Sequence, residues 1–232
     1  TSFDVDVVVT IVHNNTLYST VVSPFTGRTW LDRNLGASQV CTEHNDTACY
    51  GDYYQWGRNT DGHEKVNSFT ASLQASDATN VGHGNFIIGH TDWVNGDESG
   101  TIRKEMLSNT NGSFICPTDF RVASVDEFKE EFINLNSALE SDNITVFNSF
   151  LKLPSSGLRH NIGAGISGNE TSGYYWSNFG YGELASSVAI NTGSRLSSPL
   201  SITVSSYGMP IRCIKHKEFS VNITGLKSIY LE

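Results

Sequence analysis

The chain opens with two runs of β-branched and other apolar residues that predict a β-hairpin. Residues 5–12 read VDVVVTIV and residues 16–22 read TLYSTVV, with the polar turn HNN between them. Apolar runs joined by a short polar turn are typical of paired antiparallel strands. A third extended segment, RTWLDRNL, follows at 28–35. The first 35 residues are therefore predicted to be β-structure.

The clearest helical pattern begins at Ser124. Ser124 and Glu127 form the capping-box pattern S-x-x-E, which marks a helix N-terminus. A second, shorter helix is predicted at 101–108, which reads TIRKEMLS. Behind the capping box, apolar residues recur on one face of the predicted helix, at Phe128, Phe132, Leu135 and Leu139.

The remaining strands are predicted from short apolar segments between glycine- and serine-rich turns. Residues 217–232 predict a terminal strand or the start of a linker, whereas residues 41–100 show little periodicity. Long irregular stretches usually carry function or are held by metals and disulfides. The pattern as a whole predicts a single domain over 1–232 that contains both strands and helices. The later strands are predicted at 150–153, 174–176, 185–190, 201–205 and 210–215.

Composition and charge narrow the function classes. Charged residues make up only 17% of the chain, and Ser, Thr, Asn and 21 Gly supply the polarity instead, which suits a loop-rich extracellular domain. The chain holds 24 acidic and 15 basic residues, for a net charge of −9. Because Lys and Arg form no cluster, a nucleic-acid partner is not expected. Unpaired acidic oxygens suit a hard cation such as calcium.

No membrane-spanning segment is predicted, since no apolar run approaches the ~20 residues that a span needs. The chain begins TSFDVDV without a methionine, so we expect it to be part of a longer polypeptide with adjoining domains.

The four cysteines are predicted to form two disulfides. Cys41 and Cys49 bracket the short polar loop TEHNDTA, so a local bridge closes easily, and Cys116 and Cys213 then close a long loop. Four buried free thiols are the alternative. Neither a CxxC pair nor a Cys/His spacing suits zinc, which favours disulfides and an oxidising compartment.

The best candidate metal site is the loop at 91–100, TDWVNGDESG. Its glycines allow the backbone to curl, and calcium takes six to eight oxygen ligands. A solvated acidic turn explains the spacing equally well. The four side chains with suitable oxygens are Asp92, Asn95, Asp97 and Glu98.

Two other acidic groups are weaker metal candidates. Asp61 and Glu64 flank Gly62 and His63 after the segment WGRN, although an Asx-turn accounts for this pattern more simply. The loop between Cys41 and Cys49 also holds polar oxygens. A small bridged loop is naturally polar, which is the preferred interpretation of Glu43, Asn45 and Asp46.

Candidate ligand-binding residues lie outside the aromatic-rich framework segments, whose aromatics are predicted to be mostly core. Tyr181 and Tyr207 carry a polar group on an apolar ring and suit a ligand surface. Arg159 and Arg195 lie in Gly/Ser-rich loops and could hold a carboxylate with two parallel hydrogen bonds. They could equally be ordinary surface charges. Ser205 and Ser206 precede Tyr207 in a loop next to the last predicted strand.

Two other arginines, Arg33 and Arg58, are predicted to form buried pairs with acidic residues inside framework segments.

Catalysis is not indicated by the sequence. The seven histidines are scattered, and none lies in an H-E-x-x-H motif or beside a nucleophile elbow. No spacing selects one Ser-His-Asp trio. The chain is therefore predicted to bind a ligand without turning it over.

Five short blocks stand in a fixed order and carry a family resemblance. They resemble the bacterial family named after the Fibrobacter succinogenes major paralogous domain, a surface module related to C-type lectins and formylglycine-generating enzymes. More narrowly, they are similar to the peptide-binding domains of repeats-in-toxin (RTX) adhesins. Ala123 departs from the pattern, since the family usually has proline there. The blocks are TWLDRNL at 29–35, YGDYYQWGR at 50–58, CP at 116–117 with FRV at 120–122, YWS at 175–177 and IRC at 211–213.

The resemblance covers about residues 16–216, which it marks as the core of the domain. It implies a C-type-lectin-like α+β fold, with a mainly antiparallel twisted sheet, one or two helices and long loops, and a place on the bacterial cell surface. It implies calcium-dependent binding of short peptides or protein C-termini on other cells, with calcium favoured at the 91–100 loop and one ion taking the ligand carboxylate. A carbohydrate-binding (lectin) module is the alternative, and a structural spacer is the second alternative. Formylglycine-generating relatives use a cysteine pair near the C-terminus. Here only Cys213 lies there, so their oxidase activity is not expected.

Overall fold

The computed structural model describes residues 10–135, 143–191 and 200–216. Within these ranges strands outnumber helices, and the two kinds of element form an α+β fold. The three helices are α1 (Thr101–Ser108), α2 (Val125–Leu135) and α3 (Asn143–Phe147). The strands, in chain order, are β1 (Ile11–His13), β2 (Thr16–Tyr18), β3 (Thr20–Val22), β4 (Thr29–Leu31), β5 (Tyr54–Gln55), β6 (Thr70–Ala71), β7 (Phe86–Ile87), β8 (Phe120–Val122), β9 (Ser156–Arg159), β10 (Ile166–Asn169), β11 (Ser172–Tyr181), β12 (Leu184–Asn191), β13 (Leu200–Val204), β14 (Gly208–Met209) and β15 (Cys213–Lys215).

Two sheets organise the described part of the chain. The larger sheet has the order β13-β12-β11-β9-β14-β5, with β10 added beside β9. Its neighbours run antiparallel except for β9 and β11, which are parallel. The smaller sheet has the order β3-β4-β15-β8 and is antiparallel throughout. The long β11–β12 hairpin projects to one edge of the larger sheet, where β13 completes it.

Both predicted helices are confirmed. Helix α1 has the predicted bounds. At α2, the backbone N–H of Glu127 donates to Oγ of Ser124 at 3.1 Å, and the N–H of Ser124 donates to Oε2 of Glu127 at 2.9 Å. This reciprocal pair is the predicted capping box, and it satisfies N–H groups that the first helical turn leaves free. Leu139, the last residue of the predicted stripe, lies outside the described residues.

Helix α2 covers part of one face of the larger sheet. Phe128 and Phe132 form a buried cluster with Tyr175, Val188 and Ile190 of strands β11 and β12. The ring centroids of Phe128 and Tyr175 lie 6.1 Å apart. Burying apolar area of this kind is the main stabilising contribution of an amphipathic helix.

The strand prediction needs one correction and several adjusted boundaries. The predicted strand at 150–153 is wrong, because this segment is a turn and irregular chain in the structure. Leu151 and Leu153 are buried as expected of apolar residues, but Lys152 has φ +48°, which breaks an extended backbone. The segment 28–35 forms only the short strand β4.

The predicted hairpin exists as β1 and β2 within the described residues. Its predicted first half, residues 5–9, and the predicted terminal segment 217–232 lie outside them.

Both disulfides form as predicted, one joining Cys41 to Cys49 and the other joining Cys116 to Cys213. The second bridge lies in the main core, where it packs with the buried rings of Trp56 and Trp176. It ties strand β15 to the segment before β8.

Candidate binding surfaces

A buried arginine organises the loop that the sequence suggested as a metal site. Arg103 lies in the first turn of α1 and is fully buried. Its Nη1 donates to Oδ1 of Asp92 at 2.6 Å, and its Nη2 donates to Oδ2 of the same residue at 3.0 Å. Its Nε donates to Oδ2 of Asp97 at 3.0 Å. The guanidinium is thus held by two carboxylates at once.

The remaining acceptor capacity of these carboxylates is also used. Oδ1 of Asp97 accepts the N–H of Ile102 at 3.3 Å, and Oδ1 of Asp92 accepts Oγ–H of Ser205 at 2.7 Å. Donor hydrogens therefore surround the oxygens that a calcium ion would need, and donors repel a cation. The other two predicted ligands, Asn95 and Glu98, are exposed. The four side chains do not fit a calcium ion.

The second predicted metal group forms a compact network around a buried histidine. Within the described part of the chain, Asp61, His63 and Glu64 are the one group of three ligand-type side chains whose atoms converge within 4.8 Å. Oδ1 of Asp61 lies 2.7 Å from Nδ1 of His63, and Oδ2 of Asp61 accepts from Arg58 at 2.9 Å. Nε2 of His63 accepts the N–H of Gln55 at 3.1 Å.

Charges and hydrogen bonds in this network leave little room for a metal. Burial, with the nearby positive charge of Arg58, lowers the pKa of His63 to about 4, so the imidazole is neutral at pH 7. Burial alone would raise the pKa of Asp61, but hydrogen bonding and the charges of His63 and Arg58 lower it. Oε2 of Glu64 accepts two backbone N–H groups, those of Asp61 and Gly62. Asp61, His63 and Glu64 therefore stabilise a loop next to the guanidinium of Arg58, which supplies the positive charge.

Three predicted ligand residues, Ser205, Ser206 and Tyr207, follow directly after β13, and they differ in how exposed they are to solvent. Ser205 and Ser206 are fully buried. Oγ–H of Ser206 donates to the carbonyl of His90 at 2.6 Å, so both hydroxyls tie neighbouring loops together. Tyr207 is half-buried and its ring meets the edge of His160 at 5.3 Å between centroids. Of the three, only Tyr207 presents any surface to a ligand.

Arg159 is also an internal clamp rather than a free surface charge. It is buried, and its Nε donates to the carbonyl of Ala164 at 3.2 Å. Its Nη1 donates to the carbonyl of Lys65 at 2.8 Å, and its Nη2 donates to the carbonyl of Ser68 at 3.0 Å. Burial lowers the pKa of Arg159. The N–H groups of its guanidinium already donate to backbone carbonyls of the chain. Arg195, the other predicted carboxylate-binding arginine, lies outside the described residues.

Arg33 and Arg58 each pair with an aspartate, as predicted, but the pairs are only partly buried, since Arg33 is half-buried and Asp61 is exposed. Nη1 of Arg33 lies 2.9 Å from Oδ2 of Asp32, and Nη2 of Arg58 lies 2.8 Å from Oδ2 of Asp61. In the Cys41–Cys49 loop, Oδ1 of Asp46 accepts the N–H of Ala48 at 3.0 Å and caps a short 3-10 turn. That role matches the structural interpretation preferred for this loop.

Tyr181 is the predicted ligand residue that lies on an open surface. It lines an apolar groove of about 590 Å³ between the start of α2 and the edge of the larger sheet. Tyr181 is 70% exposed, Phe179 is 67% exposed and Ile202 is 65% exposed. Leu184 and Leu200 are exposed beside them. The apolar groove is defined by these five side chains together with Ser124, Val125 and Asp126 of the facing wall.

The register of the strands explains why this surface is apolar. Tyr181 pairs with Leu184, Leu184 pairs with Val204, and Ser186 pairs with Ile202. Because alternate residues of a strand share a face, these positions lie on the same face as Val188, which packs under α2. Helix α2 begins at Val125 and covers only one part of that face. Among the described residues, no element covers the groove, which continues the face that packs under α2.

Four of the five apolar groove residues were not predicted from the sequence: Phe179, Leu184, Leu200 and Ile202. Each lies in or beside a predicted strand, where an apolar residue indicates a core position. The exposure of Phe179 and Leu184 could have been predicted from their positions close to Gly182, at the tip of a hairpin. Hairpin tips usually extend beyond the core that the strands cover.

No protein-family model, curated protein or solved structure matches the chain. The family resemblance of the five sequence blocks therefore stays a prediction. None of the helices in the described ranges is long and apolar enough to cross a membrane.

Proposed function

We propose that the chain is a binding module of an extracellular bacterial adhesin that holds a short segment of another protein in the apolar groove. The observation that carries this proposal is the groove itself. Its volume of about 590 Å³ lies within the range of ligand sites, and its five apolar side chains are exposed on strands of the larger sheet or at the tip of their hairpin. Contiguous exposed apolar patches rimmed by polar residues mark interaction sites. The two disulfides agree with an oxidising, extracellular setting.

A peptide suits this groove better than a sugar. Sugar rings need many hydrogen-bonding groups around an aromatic face, whereas aliphatic side chains and two aromatic rings dominate this lining. The polar side chains that line it are few, namely Ser124, Asp126, Asn178 and Ser186. Oγ–H of Ser186 already donates to the carbonyl of Phe179, and Oγ of Ser124 accepts the N–H of Glu127. A lectin role for Phe179 and Tyr181 is the second candidate, because exposed aromatic faces also stack on sugars.

Calcium and C-terminal capture enter this proposal only through the family resemblance. Of the six predicted metal-ligating residues, Asp92, Asp97 and Asp61 bond buried arginines, Oε2 of Glu64 accepts two backbone N–H groups, and Asn95 and Glu98 are exposed. The charged side chain that lines the groove within the described residues is Asp126, which is acidic and repels a carboxylate. The proposal therefore rests on apolar contact, without a step through a metal ion.

The proposal is tested by selecting binders from a display library of random short peptides against the intact chain. Selected peptides are then titrated against the wild type, against Ile202→Asp and against Leu17→Asp. Leu17 is a matched control, because it is 59% exposed on the separate β1–β2 hairpin. Urea unfolding establishes that both variants are folded.

We expect Ile202→Asp to weaken peptide binding by roughly tenfold or more. Placing a charge in an apolar contact costs at least about 1.4 kcal/mol, which corresponds to a tenfold loss of affinity. Leu17→Asp should bind as the wild type does. The proposal would be overturned if no peptide is selected, or if the selected peptides bind Ile202→Asp as tightly as the wild type. Sugar binding on a glycan array that is lost in Tyr181→Ala would favour the lectin role.

A further inference from the structure

Strand β13 forms an open edge of the larger sheet. Its five residues pair with β12 in register from Leu184 opposite Val204 to Val188 opposite Leu200. On its other side, no strand among residues 10–135, 143–191 and 200–216 pairs with it. An edge strand directs alternate N–H and C=O groups outward, and these groups can pair with another chain.

The residues of β13 themselves lack the features that usually prevent such pairing. Proteins protect open edges with charged residues, proline or bulges. β13 reads LSITV and has none of these residues, and its pairing with β12 is regular. An unprotected edge with exposed Leu200 and Ile202 is a template for an added strand.

The edge and the apolar groove form one surface. Leu200 and Ile202 lie two positions apart, so they share a face, which is the face that carries Leu184 and Tyr181. A strand added beside β13 would continue this pleat. Every second side chain of that strand would lie over the groove, beside Leu200 and Ile202.

The groove also carries one uncompensated charge. Asp126 is exposed in the first turn of α2 and makes no ion pair or hydrogen bond with the described residues. Its neighbour Glu127 is committed to Arg121, at 2.6 and 2.9 Å, and to the capping box. An opposite charge on a ligand would therefore meet Asp126 without competition from this arginine. The net charge of −9 also favours a cationic ligand.

We infer that the ligand of the groove binds as an added β-strand along β13, with apolar side chains at alternate positions and a lysine or arginine that faces Asp126. This inference rests on the proposed function and specifies its ligand class. Backbone hydrogen bonds to the edge would supply affinity, and the alternate side chains with the cation would supply specificity, as in other cases of strand addition.

The test uses the peptides selected in the previous experiment. Each peptide is synthesised with a single N-methyl group at successive positions, which removes one backbone N–H and blocks strand pairing there. We expect an alternating profile, in which every second position loses roughly tenfold in affinity, about one lost hydrogen bond. The positions between them should change little, because their N–H groups point away from β13.

The cationic contact is tested with Asp126→Asn, with Glu105→Gln on the exposed side of α1 as the matched control. Asp126→Asn should weaken a lysine-containing peptide by roughly two- to fivefold, as expected for an exposed ion pair. The same substitution should not change the affinity of a peptide in which norleucine replaces the lysine. Glu105→Gln should affect neither peptide.

The outcomes separate this inference from the proposal on which it rests. Peptides that require Ile202 but show a flat N-methyl profile would overturn the added strand and leave the proposed function standing. Peptides that gain nothing from lysine would overturn the role of Asp126. Sedimentation of the chain alone that shows a dimer, converted to a monomer by Ile202→Asp, would also overturn the inference, because a second copy would then occupy the edge.

Discussion

Nη1 of Arg103 lies 2.6 Å from Oδ1 of Asp92, a residue eleven positions earlier in the chain. The same guanidinium bonds the carboxylate of Asp97, and the arginine side chain is fully buried. Two acidic residues that suggest a metal-binding loop thus both pair with one cation from the following helix. The arginine fixes the loop against α1 and the rings of Trp56 and Trp93, over which its guanidinium lies at 5.3 and 5.7 Å.

Removal of this arginine should strongly destabilise the protein. Arg103→Ala leaves two carboxylates without their partner, and breaking a buried ion pair in this way costs about 3–5 kcal/mol. Urea unfolding at neutral pH measures the loss. Glu105→Ala, at an exposed position of the same helix, is the control and should change stability by less than about 0.5 kcal/mol. Equal stability of the two variants would contradict a structural role for Arg103.

Removal of calcium with a chelator should leave the melting temperature unchanged. This follows if Arg103 supplies the positive charge in the 91–100 loop and Arg58 supplies it beside Asp61 and Glu64. The experiment compares thermal unfolding in excess chelator with unfolding in millimolar calcium. A site filled at a thousandfold excess over its dissociation constant would add about 4 kcal/mol, a shift of several degrees. A calcium-dependent shift of that size, retained in Asp92→Asn and Asp61→Asn variants, would indicate a calcium site made by other residues.

Local patterns were predicted well because they depend on neighbours in the chain. The capping box at Ser124 and the bounds of α1 follow from three- and four-residue spacings, and the Cys41–Cys49 bridge closes a short loop. The wrong strand at 150–153 shows the limit of this logic. Leu151 and Leu153 are buried, as apolar residues usually are, but the φ of +48° at Lys152 has no counterpart in the apolar pattern that suggested a strand.

The candidate site was predicted less well, because side-chain roles depend on distant partners. Asp92 and Asp97 were predicted as metal ligands, whereas both bond Arg103, a residue of the predicted helix at 101–108 to which no role was assigned. Arg159 was considered as a carboxylate ligand, yet it bonds carbonyls more than 90 positions away. Among the predicted ligand residues, Tyr181 faces the apolar groove. Its neighbours there come from strands and a helix that no local pattern brings together.

The two disulfides should differ in their contribution to stability. In the chain-entropy account, the bridge from Cys116 to Cys213, with a separation of 97 residues, contributes about 5 kcal/mol, and the bridge from Cys41 to Cys49, with a separation of 8 residues, contributes about 2.5 kcal/mol. Urea unfolding of the two double Cys→Ala variants checks this order. A larger loss from the Cys41–Cys49 pair would show that contacts in that loop, rather than chain entropy, dominate.

Stability should fall in mildly acidic solution because of His63. Its pKa of about 4 in the folded protein lies below the ordinary value of 6.5, so the unfolded chain binds the proton more readily. The free energy of unfolding should therefore decrease as the pH falls from about 6.5 to about 4, by up to about 3 kcal/mol, and this contribution should level off below pH 4. Urea unfolding across this range, compared with His63→Gln, isolates the effect. The same slope in both proteins would contradict it.

A single methyl group at Gly180 should disturb both the groove and the core beneath it. A Cβ at this position would lie 2.6 Å from Cζ2 of Trp56 and 2.9 Å from the carbonyl oxygen of Leu184, closer than real contacts allow. Trp56 cannot move freely, because it is fully buried and its Nε1–H donates to the carbonyl of Ser177 at 2.9 Å. We expect Gly180→Ala to cost about 1–3 kcal/mol in urea unfolding.

Gly165→Ala is the matched control for this change, since a Cβ at Gly165 meets no atom within 4 Å. That variant should unfold within about 0.5 kcal/mol of the wild type. The same pair of variants also tests how the groove is built. If Gly180→Ala shifts Trp56, one of four tryptophans, the tryptophan fluorescence of the protein and the affinity of groove-binding peptides should change together. The reason is that the ring of Trp56 lies below the hairpin that carries Phe179 and Tyr181. A stable Gly180→Ala variant with unchanged peptide affinity would show that the groove floor is not supported by Trp56.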